Sequence, residues 1–196
     1  MSVVLVDAGG TNIGSVRYAL QRLGVDASLT SDAEAIRTAD KVILPGVGAA
    51  GPGMARLHEL GLVDLMRSLT QPVLGVCLGM QLLCERSEEG DTACLGVIPA
   101  TVHRFAEQPG LRVPHMGWNR LQRQREHRLL EGLADGDWAY FVHSYAVPAG
   151  DHALATTEFG GPFAAVIARG NFHGMQFHPE RSAKVGARLL KNFLEL

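Results

Sequence analysis

The sequence predicts an α/β fold: a mostly parallel sheet with helices on both faces, extended in the second half by an antiparallel layer. Three observations carry this prediction. Short continuous apolar runs alternate with helical patterns through the first half, as buried parallel strands and their crossover helices require. The second half breaks into short extended runs separated by Gly and Pro turns. Of 196 residues, 46% are hydrophobic and 19% charged, a balance that suits a well-buried interior and excludes a disordered chain. With no internal repeat or convincing linker, residues 1–196 are expected to form one domain.

The elements follow in order. Val3–Val6 is an apolar run ending in Asp7-Ala8-Gly9-Gly10, which reads as a strand and its turn. Residues 13–23 carry apolar side chains at Val16, Ala19, Leu20 and Leu23 before Gly24, the signature of a helix and its stop. A second strand is expected near 25–29. Asp32 can cap a short helix through Ala39, and 41–44 makes a third strand that runs into Pro45-Gly46-Val47-Gly48. Helices are expected over 52–60 and 62–69, with Pro72 marking the exit, then a buried strand at 73–76 and a helix over 78–84. The runs 97–105, 140–147, 153–157, 164–169 and 171–177 supply the antiparallel layer. A closing helix, 182–196, puts Val185, Leu189, Leu190, Phe193 and Leu194 on one face. In such a sheet ligands bind at the carboxyl ends of the strands.

Composition narrows the function. A net charge of −2 gives no basic field of the kind that holds phosphate backbones, so nucleic acid is not expected as a partner. Three cysteines make no disulfide framework and point to a reducing compartment. The start of the chain lacks a basic signal region, and the longest uncharged run, 68–84, is broken by Pro72, Gly75, Gly79 and Gln81 and falls short of the ~20 residues a span needs. A soluble cytoplasmic protein without membrane contact is the expectation. None of the eight histidines falls in a His-x-x-x-His pair, and no Cys-x-x-Cys occurs, so neither metal nor cofactor is expected. The basic stretch 120–128 reads as a solvated loop, with partner docking the other reading. Glycine is in surplus, at 23 residues or about 12% against an average near 7%.

The chemistry concentrates in Gly75-Val-Cys77-Leu-Gly79-Met-Gln81. A buried strand meets a helix at Gly-x-Cys-x-Gly, the pattern of a nucleophile elbow with cysteine in place of serine. The flanking glycines let neighbouring backbone approach, and the sulfur is left at a helix N-terminus that favours the thiolate. The Leu78 N–H can face an oxyanion. Cys84 and Cys94 sit in no such turn and read as small buried side chains. A cysteine nucleophile needs a base and an orienting acceptor. Phe177-His178-Pro179-Glu180 supplies both, since positions two apart in extended chain project to one side. Glu180 then accepts from one imidazole nitrogen and leaves the other for Cys77. The segment 46–51 also matches Gly-x-Gly-x-x-Gly, a dinucleotide signature. It follows the third strand rather than the first, is flanked by prolines and lacks the acidic ribose ligand, so an oxyanion turn is the better reading.

Gly75–Gln81 with Phe177–Glu180 resembles the class I (triad) glutamine amidotransferases. Within them, Pro45-Gly46-Val47-Gly48, Pro114-His115-Met116-Gly117-Trp118-Asn119, Phe141-Val142-His143-Ser144-Tyr145 and His178-Pro179-Glu180-Arg181-Ser182 resemble the glutaminase subunits of imidazole glycerol phosphate synthase, of histidine biosynthesis. The likeness covers nearly the whole chain. It implies a flavodoxin-like fold, L-glutamine as substrate, and catalysis by Cys77, His178 and Glu180 through a glutamyl thioester. It further implies an oxyanion hole from Val47, Gly48 and Leu78, and substrate contacts from Gln81, Glu89, His143, Ser144 and Tyr145. The implied partner is a (β/α)₈-barrel cyclase that uses the ammonia on a ribulosyl nucleotide, docked near His115, Met116, Trp118 and Asn119. Ala8 stands where many relatives carry Tyr, and Thr11 where many carry Gly. Two readings from other classes remain: a nucleotide-binding module on 46–51 and a regulatory subunit with a silent triad.

Overall fold

The computed structural model describes residues 1–9 and 13–196. The first half alternates as the apolar runs demand: β1 (Val3–Val6), α1 (Ile13–Arg22), β2 (Ser28–Thr30), α2 (Ala33–Thr38), β3 (Lys41–Gly46), α3 (Ala50–Glu59), α4 (Val63–Ser68), β4 (Val73–Cys77) and α5 (Leu78–Leu82). Asp32 caps α2 as expected, its carboxylate accepting from the Ala35 N–H at 2.7 Å. There follow β5 (Cys84–Ser87), β6 (Thr92–Ala93), β7 (Ile98–Arg104), β8 (His115–Arg120), β9 (Gln122–Arg123), β10 (Trp138–His143), β11 (Tyr145–Ala146), β12 (Ala153–Glu158), β13 (Pro162–Arg169), β14 (Phe172–Met175) and α6 (Ala183–Leu194).

Among the described residues the main sheet has eight strands in the order β2-β1-β3-β4-β14-β13-β12-β9. Its first five are mutually parallel, and β13, β12 and β9 continue it antiparallel. Alternation along each strand divides the core between two faces. Val4, Val6, Val42 and Leu44 pack with residues of α2, α3 and α4, while Val3, Leu5 and Ile43 pack with α1 and α6. Among the described residues no helix is long and apolar enough to cross a membrane.

Three expectations are corrected. The helix expected over 78–84 ends at Leu82, because Cys84 pairs with Ile98 to open β5. The antiparallel layer is not one layer: β14 is parallel to β4, and two further sheets form, β10-β8 and β11-β7-β5-β6, the second containing the parallel pair β5 and β7. Residues 115–120, which fall in none of the expected extended runs, are strand β8, paired antiparallel with β10 from His115 opposite His143 to Arg120 opposite Trp138. The positive φ of Gly117, 131°, hides that strand from a reading by periodicity.

Candidate active site

Three parallel strands end together. Gly46 at the end of β3 is in register with Cys77 at the end of β4, and β14 delivers Gln176 and His178 just beyond its last residue, Met175. Between β4 and α5 the chain reverses so sharply that Cys77 takes φ 53° and ψ −110°, a conformation costly for any residue with a Cβ. The neighbouring glycines permit it. A Cβ on Gly75 would lie 2.6 Å from the Gly79 carbonyl and the Met80 nitrogen, and one on Gly79 would collide with the Leu44 carbonyl oxygen. The expected elbow is therefore formed. The helix behind it is five residues long, too short for a developed macrodipole.

His178 and Glu180 lie side by side as the extended spacing requires, with Nδ1 2.9 Å from Glu180 Oε1. Both side chains are buried, at 8% and 2% exposure. Because Nδ1–H donates to the carboxylate, Nε2 is directed at Cys77, with which the ring shares a hydrogen bond. Burial disfavours the charged ring, but the hydrogen bonds and charges of Cys77 and Glu180 outweigh it and raise the His178 pKa to about 10. Backbone fixes the segment. The Ser182 hydroxyl donates to the His178 carbonyl at 2.7 Å and accepts from the Tyr140 N–H at 2.9 Å. Gly186 lets α6 pass so close to Pro179 that a Cβ there would collide with its carbonyl.

Above Cys77 opens a cavity of about 510 Å³, within the range of small-molecule sites. Val47, Gly48 and Leu78 line it, as do Gln81, Glu89, His143, Ser144 and Tyr145, so every expected oxyanion and substrate residue reaches the same space as Cys77 and His178. Arg181, Val142 and Pro114 also line it; they stand in the sequence motifs but were given no site role there. Gly48 takes φ 100°, open only to glycine at low cost. Glu89 also serves the scaffold, since its Oε2 accepts from the Ala50 N–H at 2.8 Å and caps α3, whose N-cap residue Ala49 has no side chain able to do so. That carboxylate occupies the helix start a nucleotide phosphate would need, which counts against the dinucleotide reading. Thr11 lies outside the described residues; Ala8 is buried.

Two of the expected interface residues turn inward. Strand alternation places Met116 and Trp118 in solvent, at 63% and 49% exposure, whereas His115 is buried at 5%. The His115 ring stacks on Phe141 and Phe159, with centroids 5.0 and 4.3 Å away, and its Nε2 accepts from Asn119. His115 is thus a core residue beneath the surface that Met116 and Trp118 present. Within this aromatic cage burial lowers the pKa of His115 to about 4 and of His143 to about 3, so both rings are neutral. A residue that sequence reading passed over lies beside the nucleophile: Gln176, fully buried, with Nε2 3.8 Å from Cys77 Sγ. Its only signal was its place two positions before His178.

A family model described as glutamine amidotransferase class-I matches residues 4–196. The imidazole glycerol phosphate synthase subunit HisH of Xylella fastidiosa (strain Temecula1) is 56% identical over 194 residues, covering 99% of this chain and 97% of that protein. Its namesake from Xanthomonas axonopodis pv. citri is 55% identical with the same coverage. A solved structure titled glutamine amidotransferase superposes with a TM-score of 0.77 at 24% identity, covering 100% of this chain and 98% of the other. PurLQS from Thermotoga maritima does so with a TM-score of 0.74 at 17% identity, covering 99% and 97%. At these identities the structural likeness is one of fold.

Proposed function

The chain belongs to the class I glutamine amidotransferases, and on that footing we propose that it is the glutaminase subunit of imidazole glycerol phosphate synthase, hydrolysing L-glutamine to glutamate and ammonia. The observation that carries the reading is the run Cys77, His178, Glu180, hydrogen-bonded in that order at the floor of a cavity sized for an amino acid.

Each group then has a role. Cys77 Sγ, whose proton His178 Nε2 already holds in the hydrogen-bonded pair, attacks the carboxamide carbon, and the electron pair of the C=O bond moves onto oxygen, where backbone N–H groups of Val47, Gly48 and Leu78 donate to it. As the C–N bond breaks, His178 returns a proton to the departing ammonia. The remaining thioester is hydrolysed by water with His178 again as base, while Glu180 holds the ring in one tautomer throughout. Both amide hydrogens of Gln81 are spent, on the Tyr145 carbonyl and Gln176 Oε1, each at 2.9 Å, so toward substrate Gln81 can offer only an acceptor. That suits the α-ammonium group, as does the Glu89 carboxylate. Ser144 and Tyr145 remain for the α-carboxylate.

The partner reading rests on surface and chemistry. Free ammonia is largely protonated at neutral pH, so it serves synthesis only when passed directly to an acceptor site. Met116, Trp118 and Trp138 are all exposed on the two-stranded sheet β8-β10 that borders the cavity at His143. This patch is where a (β/α)₈-barrel cyclase would dock as the second subunit of a heterodimer, and the free thiols of Cys77, Cys84 and Cys94 suit a reducing cytoplasm. Treatment with a glutamine-mimicking electrophile, with and without the cyclase, followed by peptide mass spectrometry, tests the proposal. Labelling at Cys77 and its loss in Cys77→Ala are expected; labelling elsewhere, or none in the complex, sinks it.

A further inference from the structure

We propose that Gln176 belongs to the catalytic centre: its side-chain amide, turned by Gln81, donates a hydrogen bond to the Cys77 sulfur and favours the thiolate. The inference deepens the glutaminase reading and rests on it for the substrate, but the thiol can be probed without glutamine.

The orientation of the Gln176 amide follows from partners that have only one hydrogen-bonding role. The Tyr145 backbone carbonyl can only accept, and it faces Gln81 Nε2 at 2.9 Å and His143 Nδ1 at 2.7 Å. His143 therefore carries its proton on Nδ1, and its bare Nε2 takes the Nδ1–H of His115 at 3.1 Å. The His115 Nε2 then accepts from Asn119 Nδ2 at 3.2 Å, an amide that also donates to the Glu158 carbonyl at 2.8 Å. The chain of donors is pinned at both ends by backbone oxygens. Gln81 Nε2, held by Tyr145, spends its second hydrogen on Gln176 Oε1 at 2.9 Å. Gln176 must then turn its own N–H groups toward Cys77 Sγ, 3.8 Å away. Reversing the amide would set N–H against N–H at Gln81 and oxygen against sulfur at Cys77.

This bond discriminates between protonation states. A thiolate is a far better acceptor than a thiol, and Gln176 is fully buried, where a hydrogen bond to a charge is stronger than in water. The stabilised thiolate is a weaker nucleophile, but only in part: a tenfold gain in thiolate costs about threefold in intrinsic reactivity, so the attack gains overall. The geometry also supplies what the five-residue helix α5 does not, a directed positive dipole at sulfur.

The test uses the full chain with Gln176→Met, which keeps the shape and removes the donor, and Gln176→Glu, which keeps the acceptor for Gln81 but faces sulfur with a carboxylate. Cys77 alkylation by iodoacetamide is followed against pH at the Cys77 peptide, beside kcat and KM for glutamine, with circular dichroism and thermal melting to establish folding. In Gln176→Met the midpoint of alkylation moves to higher pH, the rate at pH 7 falls by about threefold to tenfold, and kcat falls with KM nearly unchanged. Gln176→Glu falls further. An alkylation midpoint unmoved in folded Gln176→Glu overturns the proposal, as does Gln176→Met that matches the parent while Gln176→Glu merely loses stability. If Gln176→Met does not fold, the same profile in Gln81→Met, where the amide of Gln176 is free to turn, decides in its place. A wild-type chain that alkylates as expected but never hydrolyses glutamine rejects the glutaminase reading and leaves this one standing.

Discussion

Gly79 has no room for a side chain, and its neighbours that fill the space are backbone atoms that cannot rotate away. Gly79→Ala drives a Cβ into the Leu44 carbonyl and is expected to lower stability by about 2–3 kcal/mol, read as a shift in the urea midpoint. Gly48→Ala meets open space but a φ of 100°, so it should fold, with a smaller loss of about 1 kcal/mol and its larger effect on kcat through the oxyanion turn. Glu180→Gln keeps the shape and gives up the carboxylate that selects the His178 tautomer. Its kcat should drop by about 10²- to 10⁴-fold with little change in KM, and a loss confined to KM would contradict the positioning role. At this scale the triad was legible because a turn and a two-residue spacing are local properties. Gln176 was not, because its meaning comes from Gln81, 95 positions away.

The informative elements are the pair β8 and β10. On β8 the inward residues build the cage of His115 and Asn119, while the outward ones, Met116 and Trp118, meet solvent. Trp118 touches Tyr140 edge-on at 5.8 Å and is otherwise half exposed, so Trp118→Ala should cost less than about 1 kcal/mol of stability. In the assembled enzyme it should lower the fraction of glutamine-derived ammonia that reaches product; an unchanged transfer yield would count against docking there. The Arg120–Arg128 stretch is not the solvated loop expected: Arg120 ends β8, Leu121 is buried and Gln122–Arg123 form β9 on the edge of the main sheet, while Arg123 faces Glu126 and Asp135 at 3.6 and 3.9 Å and Arg128 donates to the Glu195 carbonyl. The inward turn of His115 was hidden because alternation has a direction only once the strand's partner is known, and Gly117 obscured the strand itself.

Among the described residues, burial lowers the pKa of four histidines: His127, and more strongly His115 and His173, to about 4, and His143, to about 3. An unfolded histidine takes up its proton near pH 6.5, so between pH 6.5 and 4 the unfolded chain binds more protons and stability falls as pH falls, by up to ~1.4 kcal/mol per pH unit for each ring. His178, raised to about 10, acts in the opposite window: the folded chain holds its proton better, and that stability is lost as pH rises from 6.5 through 10. Urea midpoints against pH should therefore peak near 6.5 and fall on both sides, and a midpoint that kept rising toward pH 9 would show that the imidazolium is not held as described.

The sequence by itself determined the strand and helix alternation of the α/β half, the elbow at Cys77 and the pairing of His178 with Glu180. These follow from chain-local physics: periodicity, turn sterics and the side to which neighbouring positions project. Only the tertiary structure decided that β8 is a strand with His115 inward, that Glu89 caps α3, and that Gln176 faces the sulfur. Each of those depends on which group a polar atom meets across the fold. A buried donor is oriented by its acceptor, and that acceptor comes from a distant part of the chain.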